Sequence, residues 1–223
     1  MKNKPFVLSD KHSVANHFLS ELRDASLQRD RMRFRRNMER LGEILAYEVS
    51  KSFVYQQRTV RTPLGETSIP VLHEYPVLIT ILRAGIPLHQ GFLNIFDQAD
   101  SGFIGAYRDE ATSSVAINID YVSLPSIDGR PVILVDPMLA TGRSVLEAQK
   151  LLLTKGTPSH LYIVSVVAAP EGISLLNENL SSSCSLWTCA VDEKLNSSFY
   201  IVPGLGDAGD LSFGIRHLEK GED

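Results

Sequence analysis

The stretch Val132-Ile133-Leu134-Val135-Asp136-Pro137-Met138-Leu139-Ala140-Thr141-Gly142-Arg143-Ser144-Val145 constrains this chain more than any other. Its first four residues are an unbroken aliphatic run, the pattern of a strand buried on both faces inside a parallel sheet. An acid, Asp136, stands where the strand ends. A short loop of small residues follows, and then a helical pattern predicted over 144–155, with Val145, Ala148 and Leu152 on one side and Gly156 closing it. Strand, acid, loop and helix N-terminus in that order suit a sugar phosphate. The loop amides and the positive end of the helix dipole receive the phosphate, and the hydroxyls of Thr141 and Ser144 add donors. The Asp136 carboxylate is left for sugar hydroxyls or a metal.

Further apolar runs repeat the pattern. Residues 77–82 form a second continuous strand that ends in Arg83-Ala84-Gly85, with Pro87 where a helix begins and Leu88, Phe92, Ile95 and Phe96 continuing it. Residues 161–168 read as a strand, 171–180 as a short helix and 185–191 as another strand. Strands alternating with helices predict an α/β fold: one domain over 1–223 with a mostly parallel central sheet and helices on both faces. At 223 residues the chain is long enough to bury a substantial core. A net charge of −4 speaks against a large nucleic-acid footprint. No apolar run reaches the length of a membrane span, and Met1-Lys2-Asn3-Lys4-Pro5 lacks the apolar core of a signal peptide, so a cytoplasmic protein is expected. Cys184 and Cys189 lie in a strand-like segment at an odd spacing that faces them apart, which predicts free buried thiols.

Residues 20–51 read as one long helix or a pair, with Leu27, Phe34, Met38, Leu41 and Leu45 as the buried stripe. Arg29, Arg31, Arg33, Arg35, Arg36 and Arg40 fall mostly off it. They read either as a solvated face or as an anion site for a nucleotide effector or a neighbouring subunit. Residues 59–65 read as a short connecting strand and turn. Residues 103–110 lead into a segment where Val115, Ile117, Ile119 and Tyr121 alternate with polar residues, the pattern of a two-stranded arm able to close over substrate. Tyr200-Ile201-Val202-Pro203-Gly204-Leu205-Gly206-Asp207-Ala208-Gly209-Asp210 has too much glycine and proline for a regular helix and brings backbone amides close to whatever binds. Its acids are too few and too poorly spaced for a calcium loop.

These motifs together resemble the type I phosphoribosyltransferases, and among them the uracil branch. Residues 136–144 resemble the loop that binds phosphoribosyl pyrophosphate (PRPP), with Pro137 where most members carry a second acid. Leu82-Arg83-Ala84-Gly85 matches the pyrophosphate loop, 103–110 resembles the start of a flap, and 200–210 matches the uracil loop throughout. The resemblance implies the reaction uracil plus PRPP to UMP and pyrophosphate. It implies Asp136, Arg83 and Arg108 as catalytic residues, and a PRPP site of Arg83, Arg108, Asp136, Pro137, Met138, Leu139, Ala140, Thr141, Gly142, Arg143, Ser144 and Asp207. Ile201, Gly206, Asp207 and Ala208 would read uracil, largely through the backbone, since uracil alternates carbonyls with ring N–H groups. Mg²⁺ would arrive on PRPP with no direct protein ligand, reaching Asp207 through water. GTP as an effector, a homodimer or higher homo-oligomer, an N-terminal helical segment over 1–55, a flap over 105–123 and a uracil-binding hood over 192–214 complete the expectation.

Three positions depart from the family pattern. Arg143 replaces a glycine, which would be strained if a left-handed backbone were required there. Leu211 and Ser212 stand where relatives begin with arginine. The helix after Gly85 reads Ile86-Pro87-Leu88-His89-Gln90-Gly91, and His89 is either catalytic or structural. Two other functions fit the same letters: a pyrimidine-responsive RNA-binding regulator, supported by the clustered arginines, and a phosphoribosyltransferase for another base or an inactive relative.

Overall fold

The computed structural model describes residues 4–108 and 117–215, leaving aside the side chains of 106–108, 117 and 118. In chain order the elements are β1 (Phe6–Val7), α1 (Val14–Arg23), α2 (Arg31–Ser50), β2 (Tyr55–Thr62), β3 (Gly65–Leu72), β4 (Val77–Leu82), α3 (Ile86–Ile95), β5 (Ser101–Arg108) and β6 (Ile117–Ser123). They continue with β7 (Pro131–Val135), β8 (Met138–Leu139), α4 (Arg143–Leu153), β9 (His160–Ala168), α5 (Pro170–Asn179), β10 (Cys184–Val191), β11 (Lys194–Leu195), β12 (Ile201–Val202) and α6 (Ala208–Phe213).

The main sheet runs β1-β10-β9-β7-β4-β5-β6, with β8 also paired to β9. All its pairings are parallel except β5 with β6. Alternate residues of the inner strands feed two separate cores. Leu78, Ile133, Val135, Tyr162 and Val164 face the layer of α1, α2 and α3. Val77, Ile79, Val132, Leu134, Leu161 and Ile163 face α4 and α5. That two-sided burial is why these strands read as unbroken apolar runs. From β4 the chain moves outward to β5, and from β7 it moves the other way to β9 and β10. The two directions part between β4 and β7, and open α/β sheets bind ligands outside the C-terminal ends of strands at such a point.

The N-terminal helical segment is a strand and two helices. Ser13 caps α1 by accepting from the Ala15 amide, and the Asp30 carboxylate caps α2 by accepting from the Arg33 amide at 3.0 Å. Leu27 therefore lies in the linker and is 43% exposed, whereas Phe34, Met38, Leu41 and Leu45 are buried as the stripe requires. Where α2 crosses α3, a Cβ on Gly42 would meet the Leu88 carbonyl oxygen and one on Gly91 that of Glu39, so only glycines permit this approach.

Four arginines of α2 have partners within the molecule, while Arg29 and Arg31 are exposed and Arg33 and Arg36 stay half-exposed. Arg33 bonds Glu21 through both Nε and Nη2, at 2.8 and 2.5 Å, and holds the Glu21 carboxyl down at about 2, with Asn37 adding a third donor. Arg36 pairs with Glu39, Arg40 donates to Asn37, and Arg35 donates to the Ser212 carbonyl at 2.7 Å. Arg33 ties α1 to α2 and Arg35 ties α2 to α6, while the Arg36 and Arg40 bonds lie within α2.

Two other expectations are corrected. The predicted short strand at 59–65 is half of an antiparallel hairpin, with β2 and β3 paired from Tyr55↔Leu72 to Thr62↔Gly65. Almost every residue of it is exposed, so no alternation of apolar and polar positions marks it in the sequence. In β6 the predicted apolar face breaks. Gly105 pairs with Tyr121 but Ala106 with Ile119, a β-bulge at Asp120 that turns Ile119 and Tyr121 to opposite faces. Ile119 packs on the core, and Tyr121 is 54% exposed. Cys184 and Cys189 are buried thiols, and Cys184 Sγ lies 3.8 Å from Ser181 Oγ. No helix among the described residues is long and apolar enough to cross a membrane.

Candidate active site

Three loops gather at the C-terminal rim where β4 and β7 part. The first follows β4. Its Leu82–Arg83 peptide is cis, and it turns back so closely that Gly85 packs against the strand ends. Arg83 is partly buried. Its Nη2 donates to Asp210 Oδ1 at 3.0 Å and to the Gly214 carbonyl at 2.7 Å.

The second loop follows β7, which pairs with β4 up to Thr80↔Val135, so Asp136 emerges beside the first loop. The Asp136 amide donates to Val164 O at 3.0 Å, and its carboxylate accepts from the Met138 amide at 3.3 Å. Pro137 accepts from the Val166 amide at 2.9 Å through its carbonyl, and Met138–Leu139 pairs with β9, so this side of the loop is fixed to the sheet. Ala140 and Gly142 are buried against Gly172 of α5. Thr141 and Ser144 are partly exposed. Gly142, with φ +78°, is the left-handed cap of α4 and offers no side chain to the helix. The first amides of α4 have no carbonyl of their own helix to reach, with the Arg143 amide 3.5 Å from Thr141 Oγ1, and such a helix end suits an anion.

The third loop is 203–207, between β12 and α6. Asp207 caps α6 by accepting from the Asp210 amide at 2.9 Å. Gly206 is exposed and left-handed at φ +90°, while Ile201 and Ala208 have buried side chains and meet a ligand only through backbone. Through its bond to Asp210, Arg83 of the first loop is tied to the helix that Asp207 of the third loop caps. Among the described residues, no group of three or more His, Cys, Asp or Glu is gathered to cage a metal. The Asp136 and Asp207 carboxylates are hard oxygen donors that suit Mg²⁺ through its water shell. Arg108 ends β5, but its side chain, and the flap tip over 109–116, lie outside the described residues.

Residues 8–215 match the family described as uracil phosphoribosyltransferase. The chain belongs to that family. A uracil phosphoribosyltransferase from Porphyromonas gingivalis is 47% identical over 210 residues, covering 94% of this chain and 97% of its own. One from Dictyoglomus turgidum is 40% identical, covering 92% and 97%. A solved protein from Aquifex aeolicus, 32% identical, superposes with a TM-score of 0.83 over 92% of this chain and 96% of its own. A hypoxanthine-guanine phosphoribosyltransferase from Bacillus anthracis, 13% identical with a TM-score of 0.50 over 71% of this chain and 81% of its own, shares the fold alone.

Against the family pattern, Arg143 costs no backbone strain. The left-handed residue is Gly142, and Arg143 is the first residue of α4, without a positive φ. Arg143→Gly is therefore expected to change PRPP affinity by less than about tenfold in a calorimetric titration, and abolished binding would contradict this assignment. Leu211 joins the core beneath the third loop, while Arg35 reaches the Ser212 carbonyl from α2. His89 is structural. It is buried on α3 with Nε2 3.1 Å from Ser101 Oγ and its ring beside Phe103, and burial lowers its pKa to about 4. Arg23, Gln28 and Asp192 hold the third loop from behind; no local motif marks them, and only the fold brings them to it.

Beneath α5 lies a separate cavity of about 330 Å³ lined by Ile163, Leu176, Cys184 and Leu186. It opens where β10 begins, at the opposite end of the sheet from Arg83 and Asp136.

Proposed function

We propose that this chain transfers ribose 5-phosphate from PRPP to uracil, releasing UMP and pyrophosphate. The bond from the anomeric carbon to the pyrophosphate oxygen breaks, and uracil N1 then bonds that carbon, its proton passing to the released pyrophosphate. The anomeric carbon becomes cationic between the two events, so the protein's tasks are positioning, charge placement and exclusion of water. Asp136 holds the ribose hydroxyls. The 140–144 amides and the α4 N-terminus hold the 5′-phosphate, with the Thr141 and Ser144 hydroxyls beside them. Arg83 neutralises the departing pyrophosphate, and Arg108 joins it from the end of β5. Asp207 would hold the water shell of a Mg²⁺ brought in with PRPP, and that ion would offset pyrophosphate charge. The backbone of Ile201, Gly206 and Ala208 reads the base.

One observation supports this reading: Arg83 of the pyrophosphate loop bonds Asp210 Oδ1 at 3.0 Å, on the helix that Asp207 of the base loop caps. The leaving group and the incoming base thus share one rim. The RNA-binding alternative is weaker, because four of its six arginines, Arg33, Arg35, Arg36 and Arg40, also bond within the molecule. A GTP effector and a homo-oligomer rest on the family likeness alone. Incubation with PRPP, Mg²⁺ and a panel of bases is expected to give pyrophosphate release with uracil only. Turnover of a purine or orotate instead, or of no base at all, would overturn the proposal.

A further inference from the structure

The third loop is held from behind by residues remote from it in sequence. Arg23, the last residue of α1, places its guanidinium fork on Asp192, with Nη2 to Oδ1 at 2.6 Å and Nη1 to Oδ2 at 2.9 Å. Both groups then reach the same peptide unit region. Arg23 Nη1 donates to the Gly204 carbonyl at 2.9 Å, and the Gly204 amide donates to Asp192 Oδ2 at 2.8 Å. Gly204 itself is left-handed at φ +62°, with its Cβ position against the Ile201 carbonyl, so no side chain fits this turn. The Gln28 amide, from the α1–α2 linker, donates to the next carbonyl, that of Leu205, at 3.3 Å.

This pairing is more than a surface ion pair. The Asp192 side chain is 4% exposed and that of Arg23 24%. A bidentate guanidinium–carboxylate pair with both remaining directions spent on backbone fixes orientation as well as distance. It grips two consecutive carbonyls, those of Gly204 and Leu205 with Gln28, immediately before Gly206 to Ala208. A loop that reads a base through its backbone has no side-chain rotamer to adjust, so its selectivity is only as good as the orientation of its peptide planes.

We infer that Arg23 and Asp192 are positioning residues for uracil: the pair locks the Gly204 turn so that the peptides of Gly206 to Ala208 present their donors and acceptors in fixed register to the base. The inference rests on the reading of 201–208 as the base loop. It makes α1, far from the catalytic loops in sequence, part of the base-selection apparatus.

The test is a steady-state comparison of uracil KM, PRPP KM and kcat, alongside thermal unfolding. Arg23→Met/Asp192→Leu removes both charges together, so neither is left buried and unpaired. In that variant the uracil KM is expected to rise about tenfold or more while the PRPP KM stays within about twofold, the signature of a lost orientation at one substrate only. Arg23→Lys keeps the charge without the fork, is expected to raise the uracil KM by a smaller factor of about three, and carries the test alone if the double variant does not fold. A merely structural pair would lower the unfolding temperature and leave the uracil KM of the folded enzyme within about twofold of the parent, which would overturn the inference. Gly206→Ala, strained at φ +90°, separates the two layers. If it raises the uracil KM and the pair variants do not, only the inference fails. If it leaves the uracil KM unchanged, the base-loop reading fails and takes the inference with it.

Discussion

Arg83→Ala is expected to lower kcat/KM for PRPP by about a thousandfold, the scale of removing a preorganised charged donor from a developing anion. Two features set that scale. The guanidinium is partly buried on a loop returned tightly onto the sheet, so it is held in place before the substrate arrives. Its present partners, one carboxylate oxygen of Asp210 and the carbonyl of Gly214, are both anionic or electron-rich oxygens, the kind that a leaving pyrophosphate brings. Stability should change little, by under about 1 kcal/mol, because Asp210 is 39% exposed and water replaces the lost partner. Arg83→Lys should recover only part of the activity, since a point charge does not reproduce the planar fork. Steady-state kinetics with PRPP, paired with a melting curve, decides the matter. Activity within tenfold of the parent in a folded Arg83→Ala enzyme would remove Arg83 from the mechanism.

Which parts of this arrangement are legible in the sequence follows from where the constraint lies. The strands at 77–82, 132–135 and 161–168 are buried on both faces, so their apolar runs announce them, and the loops at their ends carry motifs dense enough to be recognised. Asp30 also marks the true start of α2, though the apolar period alone carried the expectation past it to Leu27. The hairpin of β2 and β3 is exposed on both faces and leaves no period to detect. The two-residue strands β1, β8, β11 and β12 are made by their partners, with no local pattern of their own. The α2 arginines misled for a related reason. A charge run reads as solvated unless its partners are known, and Glu21 and Ser212 become partners only once α1 and α6 are docked. Arg23 and Asp192 are 169 residues apart in the chain, a separation no local period spans.

Gly85→Ala should damage both the fold and the site, through space rather than conformation. The backbone of Gly85 is ordinary at φ −71°, so alanine pays nothing there for chirality. Its Cβ, however, would press on Thr80 Oγ1, sit 2.8 Å from the Ile81 carbonyl oxygen and 3.3 Å from that of Val135. Thr80 is fully buried, and Ile81 and Val135 belong to paired strands, so the loop has to move instead. Overpacking of this kind costs about 2–3 kcal/mol, and for a chain of this size that is a fall of roughly 5–10 °C in Tm. The displaced segment is the one that carries Arg83, and a shift of about 1 Å in a positioned group is enough for a hundredfold loss of activity. Gly65→Ala is the matched control, because nothing lies within 4 Å of its Cβ position and the hairpin it serves is away from the rim. If Gly85→Ala melted and turned over like Gly65→Ala, the close return of the pyrophosphate loop onto β4 and β7 would be wrong, and with it the preorganisation of Arg83 from which the larger effect is argued.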